Sequence, residues 1–179
     1  MGASLIMASV KAVLPLIAAQ RSVDETLREL NRKLTSDLGP REFVALAYAR
    51  CESDGRFTLG NAGLPDPNFL CPGEVPRALD VAGPRLPLGL REGLEYGSLA
   101  GRLEPGEKLL LLTDGLPEAP TPAGEPLGYP ALEGLFAADS VSPAAFLDGL
   151  LDRLRAATTP ILEDDWTVLA LERKDPGDD

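Results

Sequence analysis

The sequence predicts an α+β fold, in which helices and antiparallel strands occupy separate stretches of the chain. Two helical patterns come first, a run of short strands follows, and a helix and a closing strand end the chain. Segregated runs of this kind are typical of α+β proteins rather than of parallel, doubly wound sheets. The length of 179 residues fits one domain, which we expect at 1–173, followed by a disordered acidic tail at 174–179.

The first 39 residues predict two helices. Residues 1–20 are apolar nearly all round, which predicts a buried helix with a kink or an end near Pro15. Residues 21–39 predict a second helix, because Ser22 and Glu25 have the spacing of a capping box. Lys11 lies in the middle of the apolar stretch, which argues against a signal peptide and interrupts the stretch too early for a membrane span.

The next segments predict antiparallel strands. "EFVALAYARCE" and "GRFTLGNAG" flank Asp54-Gly55, which is a hairpin signal. "NFLCPGEVPRALDV" predicts a second hairpin, and "LEYGSLAGRL" and "EKLLLLTDG" predict two more strands. A loop rich in Pro and Gly then leads to a short helix in "ALEGLFA", a helix capped by Ser142, and a last strand in "DDWTVLALER".

Composition excludes several classes of function. The net charge of −11 and the pI of about 4.5 argue against nucleic acid and against a membrane surface as partners, because both reward clustered Lys and Arg. The chain has no His and two Cys, so a zinc site and the Ser-His-Asp and Cys-His mechanisms are excluded. Two packing thiols indicate a reduced, cytoplasmic protein. Any chemistry must therefore use carboxylates, a metal or a cofactor.

Carboxylates stand at the ends of two predicted strands. Four leucines at 109–112 lead into Asp114 and Gly115, and Asp164 and Asp165 precede the last strand. If the two strands are antiparallel neighbours, these carboxylates meet at one rim, where Mg²⁺ or Mn²⁺ would offset their repulsion. The alternative is that Asp and Gly only form a turn after a strand.

Seven motifs occur in order over nearly the whole chain: "GASLIMASVKA", "ETLRELNRKL", "FVALAYARCESDGRFTLGNAGLPDP", "PLGL", "LEPGEKLLLLTDGLPEA", "GEPLG" and "DDWTVLALER". This ordered set resembles the SpoIIE/RsbU-type branch of the metal-dependent protein phosphatases, the PPM superfamily, and keeps that family's order and spacing.

The resemblance implies a sandwich of antiparallel sheets flanked by helices, with a two-metal site for Mn²⁺ or Mg²⁺. Asp114 and Asp164 would be metal ligands, Asp165 would support the same corner, and Gly115 would allow a tight turn beneath the metals. The implied reaction is hydrolysis of phosphoserine or phosphothreonine. The implied partner is a phosphorylated, anti-anti-sigma-like regulatory protein in a bacterial sigma-factor partner-switching pathway.

Two departures from the family pattern leave open whether this chain is an active enzyme. Leu64 stands where the family's "NAG" turn usually continues with His. The family's other acidic ligands lie in a "GGD"-like strand and a "D-x-S-G"-like turn that precede the segment matched by residues 2–12. We therefore expect this chain to correspond to the C-terminal two-thirds of the family domain, truncated at its N-terminus. Two alternatives remain: a catalytically incomplete regulatory or binding module that retains the fold, and a soluble α+β domain whose acidic strand ends are only turns.

Overall fold

The computed structural model describes residues 2–136, 142–160 and 164–174, and it has the predicted order of helices and strands. Residues 175–179 of the expected tail lie outside the described residues. The helices are α1 (Ala3–Ala18), α2 (Val23–Asp37), α3 (Tyr129–Gly134) and α4 (Pro143–Ala157). The strands are β1 (Leu46–Cys51), β2 (Arg56–Ala62), β3 (Asn68–Leu70), β4 (Arg77–Ala78), β5 (Leu99–Arg102), β6 (Lys108–Leu112) and β7 (Val168–Glu172).

One compact unit comprises Met1–Leu64 and Asp80–Arg102. It contains α1, α2 and an antiparallel sheet in the order β1-β2-β5. Asp54 and Gly55 join β1 to β2 as predicted, and the side chain of Asp54 accepts a hydrogen bond from the backbone N–H of Arg56 at 3.1 Å.

The capping box predicted at the start of α2 is confirmed. The Ser22 hydroxyl accepts from the Glu25 N–H at 3.4 Å, and the Glu25 carboxylate accepts from the Ser22 N–H at 2.9 Å. The helix begins where two otherwise unpaired N–H groups find partners. Its apolar stripe is buried in the core of this unit: Val23, Leu27, Leu30 and Leu34.

The prediction that the first helix is buried nearly all round is wrong. Leu5, Met7 and Leu16 are 57%, 60% and 76% exposed. The position of Pro15 is as predicted, since it lies inside α1 near the end of the helix at Ala18. Only one stripe of the helix is buried: Ile6, Val10, Ile17 and Ala18. An apolar composition does not predict how many faces of a helix pack against other elements. Here α1 packs with α2 along a single stripe. In the described part of the chain, no helix combines the length and apolarity needed to cross a membrane.

The second compact unit comprises Pro65–Leu79 and Leu103–Asp179. Its antiparallel sheet has the order β4-β3-β6-β7, so the leucine strand β6 is central, as predicted. Leu109 and Leu110 are fully buried and Leu112 is 4% exposed. Side chains from α3 and α4 complete this core: Leu132, Phe146, Leu150 and Leu154.

Candidate functional site

The end of β6 meets the start of β7, which is the condition under which the acidic residues at these strand ends come to one edge of the sheet. The two strands pair antiparallel, and Leu112 is opposite Val168. Asp114 follows β6 by two residues, and Asp164 and Asp165 precede β7. The chain segments that carry the three predicted acids therefore lie at the same edge of the sheet.

Thr113 joins these two segments by three hydrogen bonds. Its N–H donates to the carbonyl of Thr167 at 3.1 Å, and its hydroxyl accepts from the N–H of Thr167 at 3.1 Å. The same hydroxyl donates to the carbonyl of Asp165 at 3.2 Å. The backbone around Asp165 is thus fixed by a side chain from the opposite segment. Thr113 belongs to the "LLLLTDG" motif, from which no role was predicted for it.

Gly115 is buried against the two aspartates that precede β7. A Cβ atom at this position would lie 2.6 Å from the carbonyl oxygen of Asp165 and 3.4 Å from the Cβ of Asp164. The first of these distances is far below van der Waals contact, so a side chain at position 115 is sterically excluded. Close approach of the two backbones is what requires glycine at this position.

Asp164 lines a small cavity of about 230 Å³, together with Gly115, Glu118, Ala119 and Trp166. Glu118 is brought there by a turn, since its N–H donates to the carbonyl of Asp114 at 3.0 Å. The sequence motifs did not identify Glu118 and Trp166 as candidate site residues. The available signals were the four-residue spacing from Asp114 to Glu118 and the position of Trp166 directly after the two aspartates.

Tyr129, at the start of α3, is close enough to Asp114 and Glu118 for their charges to act on its hydroxyl. Burial raises the pKa of the Tyr129 hydroxyl, and the negative charges of Asp114, Glu118 and Asp66 raise it further. Asp66 and Tyr129 are far from Asp114 in sequence, and no sequence pattern linked them to it.

Asp114, Asp164 and Asp165 are all exposed, and one oxygen of Asp164 accepts a hydrogen bond from the Asp165 N–H at 2.7 Å. Carboxylate oxygens are the donors that Mg²⁺ and Mn²⁺ prefer. Across the described ranges, however, no three or more acidic or cysteine side chains converge closely enough to hold an ion. The described residues thus have the right donor chemistry but provide only part of a coordination sphere.

Comparison with known proteins identifies relatives of this chain. The family model described as "Stage II sporulation protein E (SpoIIE)" matches residues 1–174. The chain is 28% identical over 152 residues to the phosphoserine phosphatase RsbU of Bacillus subtilis (strain 168). The aligned region covers 84% of this chain and 45% of RsbU. The chain therefore spans about half the length of the curated relative it matches.

Two solved structures share the fold. The crystal structure of the RsbU and RsbW domains of Rv1364c from Mycobacterium tuberculosis has a TM-score of 0.75 at 25% identity, covering 96% of this chain and 48% of that one. The phosphatase domain of SpoIIE from Bacillus subtilis, presoaked with Mn, has a TM-score of 0.63 at 16% identity, covering 93% of this chain and 72% of that one. These similarities confirm the α+β class with antiparallel sheets and helices. The family match extends from the first residue to position 174, and this chain belongs to the SpoIIE family of the metal-dependent protein phosphatases.

Proposed function

We propose that this chain is part of a serine phosphatase that acts in the cytoplasm on a phosphorylated regulatory protein of a partner-switching pathway. The supporting observation is the junction of β6 and β7, where Asp114-Gly115 and Asp164-Asp165 come from opposite directions to one edge of the sheet. Residues 1–173 would act as the phosphatase-family domain and residues 174–179 as its tail. The phosphoserine phosphatase activity named for RsbU supports the reaction class.

Asp114 and Asp164 are the residues we propose to hold Mn²⁺ or Mg²⁺, with Asp165 and Gly115 in supporting roles. When bound, such an ion supplies Lewis-acid activation of water and stabilises charge on phosphoryl oxygens. The chain's own contribution is positional. The hydroxyl of Thr113 fixes the Asp165 backbone, and the absence of a side chain on Gly115 lets the two segments touch.

The second candidate is a regulatory module that binds the phosphoprotein without hydrolysing it. The observation that favours it is the incomplete acidic set: within the residues that the structure describes, no group of three potential ligands forms. Complete octahedral coordination by protein and water is more demanding for Mg²⁺ than for larger cations. Turnover in the presence of Mn²⁺ is therefore the measurement that separates the two candidates.

The test is release of phosphate from p-nitrophenyl phosphate and from a phosphoserine peptide while Mn²⁺ is titrated. We expect weak Mn²⁺-dependent turnover, because the described acidic residues provide only part of a coordination sphere, and Asp114→Asn and Asp164→Asn should each reduce it to background. Asp148→Asn is the matched control, because Asp148 is an exposed aspartate on α4. It lies outside the acidic corner, the name we give to Asp114, Glu118, Asp164 and Asp165. Turnover that survives both substitutions would contradict the proposed ligands. Tight binding of the phosphoserine peptide with no turnover would favour the binding module.

A further inference from the structure

A second and larger cavity adjoins the acidic corner. It lies between the end of α4 and the segment that leads into β7, and its volume is about 760 Å³, compared with about 230 Å³ for the cavity at Asp164. A volume of this size is typical of sites that take several side chains or a small ligand. Among the residues that line it are Leu151, Arg155, Thr159, Asp165, Trp166 and Thr167.

The two cavities share one residue. Trp166 lines both of them, whereas Asp164 lines the smaller and Asp165 the larger. Consecutive residues of one segment thus face two adjoining spaces. Because Trp166 borders both spaces, a ligand held in the smaller cavity would meet the larger one at this residue.

The larger cavity is chemically mixed. Leu151 and the Trp166 ring offer an apolar surface, and the threonines offer hydroxyl groups. Arg155 is the positively charged residue among those described as lining it. Its ion pair with Asp152 is 3.5 Å long, with both side chains more than two-thirds exposed. Such a pair contributes little, so the guanidinium is available to a stronger partner.

We propose that this cavity binds the residues that flank the phosphoserine of the substrate protein, with Arg155 pairing with a carboxylate there. An apolar side chain of the same segment would pack on Leu151 and Trp166. The proposal rests on the function proposed above, and it adds a specificity: an acidic residue close to the phosphoserine. Arg155 also lies in the last turn of α4, where a cation is favourable for the helix dipole. A loss of stability on its replacement therefore does not test the proposal, and peptide selectivity does.

Trp166 is the single tryptophan of the chain, so its fluorescence reports occupancy of either cavity. The probes are two phosphoserine peptides that differ in one residue, glutamate or lysine, two positions from the phosphoserine. We expect the protein to bind the glutamate peptide about tenfold more tightly, as a charge-assisted hydrogen bond allows. Arg155→Glu should reverse the preference, and Arg155→Lys should retain most of it.

The matched control is Lys174→Glu, which makes the same change of charge at an exposed position beyond the far end of β7. It should leave the tenfold preference unchanged. Equal affinity for the two peptides, or a preference that persists in Arg155→Glu, would overturn the proposal.

Failure of this proposal and failure of the proposed function give different results. If p-nitrophenyl phosphate is hydrolysed but the peptides are not distinguished, the phosphatase assignment stands and the role of the cavity is wrong. If neither phosphate compound is hydrolysed but the glutamate peptide is preferred through Arg155, the cavity binds as proposed and the phosphatase assignment is wrong.

Discussion

Gly115 shows how one missing side chain decides the geometry of the acidic corner. Gly115→Ala would place a Cβ atom 2.6 Å from the carbonyl oxygen of Asp165. Because the obstacle is backbone, either segment must move, and we expect a loss of about 1–3 kcal/mol in the free energy of unfolding. Urea unfolding of the two proteins measures this difference.

The control for this substitution is Gly134→Ala in α3, where a Cβ atom would have no neighbour within 4 Å. Alanine is the better helix former, so this variant should gain roughly 0.5–1 kcal/mol. Equal effects of the two alanines would show that the corner can accept a side chain, and the steric explanation of Gly115 would be wrong.

Another single residue, the buried Tyr96, should make the free energy of unfolding depend on pH. The side chain is 4% exposed, its hydroxyl donates to the carbonyl of Leu86 at 3.0 Å, and burial raises its pKa to about 12. In the unfolded chain the pKa of tyrosine is about 10. Since the pKa is higher in the folded state, the stabilising contribution is complete below about pH 10 and is lost as the pH rises towards 12.

Tyr96→Phe tests this dependence. At pH 8 we expect the variant to be less stable by about 1 kcal/mol, because the hydrogen bond is lost. Between about pH 10 and 12 the wild type should lose stability faster than the variant, because only the wild type must keep a buried hydroxyl protonated. Unfolding free energies at several pH values measure the difference, and a difference that stays constant across this window would contradict the explanation.

At the scale of elements, Asn31 connects α2 to a loop of the same unit. It is 1% exposed, its amide donates to the carbonyl of Arg91 at 2.9 Å, and its side-chain oxygen accepts from the Gly89 N–H at 2.9 Å. Asn31→Ala leaves both backbone groups without these partners, so we expect a loss of about 2–4 kcal/mol. Ser36→Ala, at an exposed position of the same helix, should change stability by less than about 0.5 kcal/mol. Comparable losses in the two variants would show that the Asn31 bonds do not hold the loop.

Elements that carry their own local signal could be predicted from the sequence. The capping box at Ser22, the turn at Gly55 and the cap at Ser142 each act within a few residues, and the structure confirms all three. The hairpin pairs β1–β2 and β3–β4 follow from such turn signals, but the partners of strands that no hairpin turn joins could not be predicted in this way. The strands β5 and β6 follow one another along the chain, yet β5 pairs with β2 and β6 pairs with β3 and β7. A turn signal between two strands predicts that the chain changes direction, but it does not predict which strand the second of them pairs with.

The same distinction applies to the candidate site. The places of Asp114 and Gly115 just after β6 and of Asp164 just before β7 were predictable because both strands are recognisable in the sequence, while their role as site residues stays a prediction. Glu118 and Trp166 line the cavity because of a turn after Asp114 and of the register of β7. The turn that carries Glu118 is local, whereas the position of Trp166 beside it depends on pairing between segments that are about 50 residues apart, which no local pattern records.

At the scale of the whole molecule, the net charge of −11 is itself a destabilising contribution. Like charges repel more strongly in the compact state than in the expanded one, and salt screens the repulsion over a Debye length of about 8–10 Å. We therefore expect the Tm to rise when NaCl is added at neutral pH. This rise needs no specific site.

A cation site at Asp114 and Asp164 adds a second contribution that screening cannot give. An ion that binds only the folded state stabilises it by RT ln(1 + [L]/Kd), which is about 1.4 kcal/mol at ten times the Kd. Thermal unfolding in MgCl₂ or MnCl₂ should therefore give a higher Tm than in NaCl of equal ionic strength. The double substitution Asp114→Asn with Asp164→Asn should abolish this excess and keep the response to NaCl. Asp148→Asn with Asp152→Asn removes the same charge from α4 and should retain the excess. If divalent and monovalent salts act alike on the wild type, the carboxylates at the junction of β6 and β7 do not form a cation site in this chain.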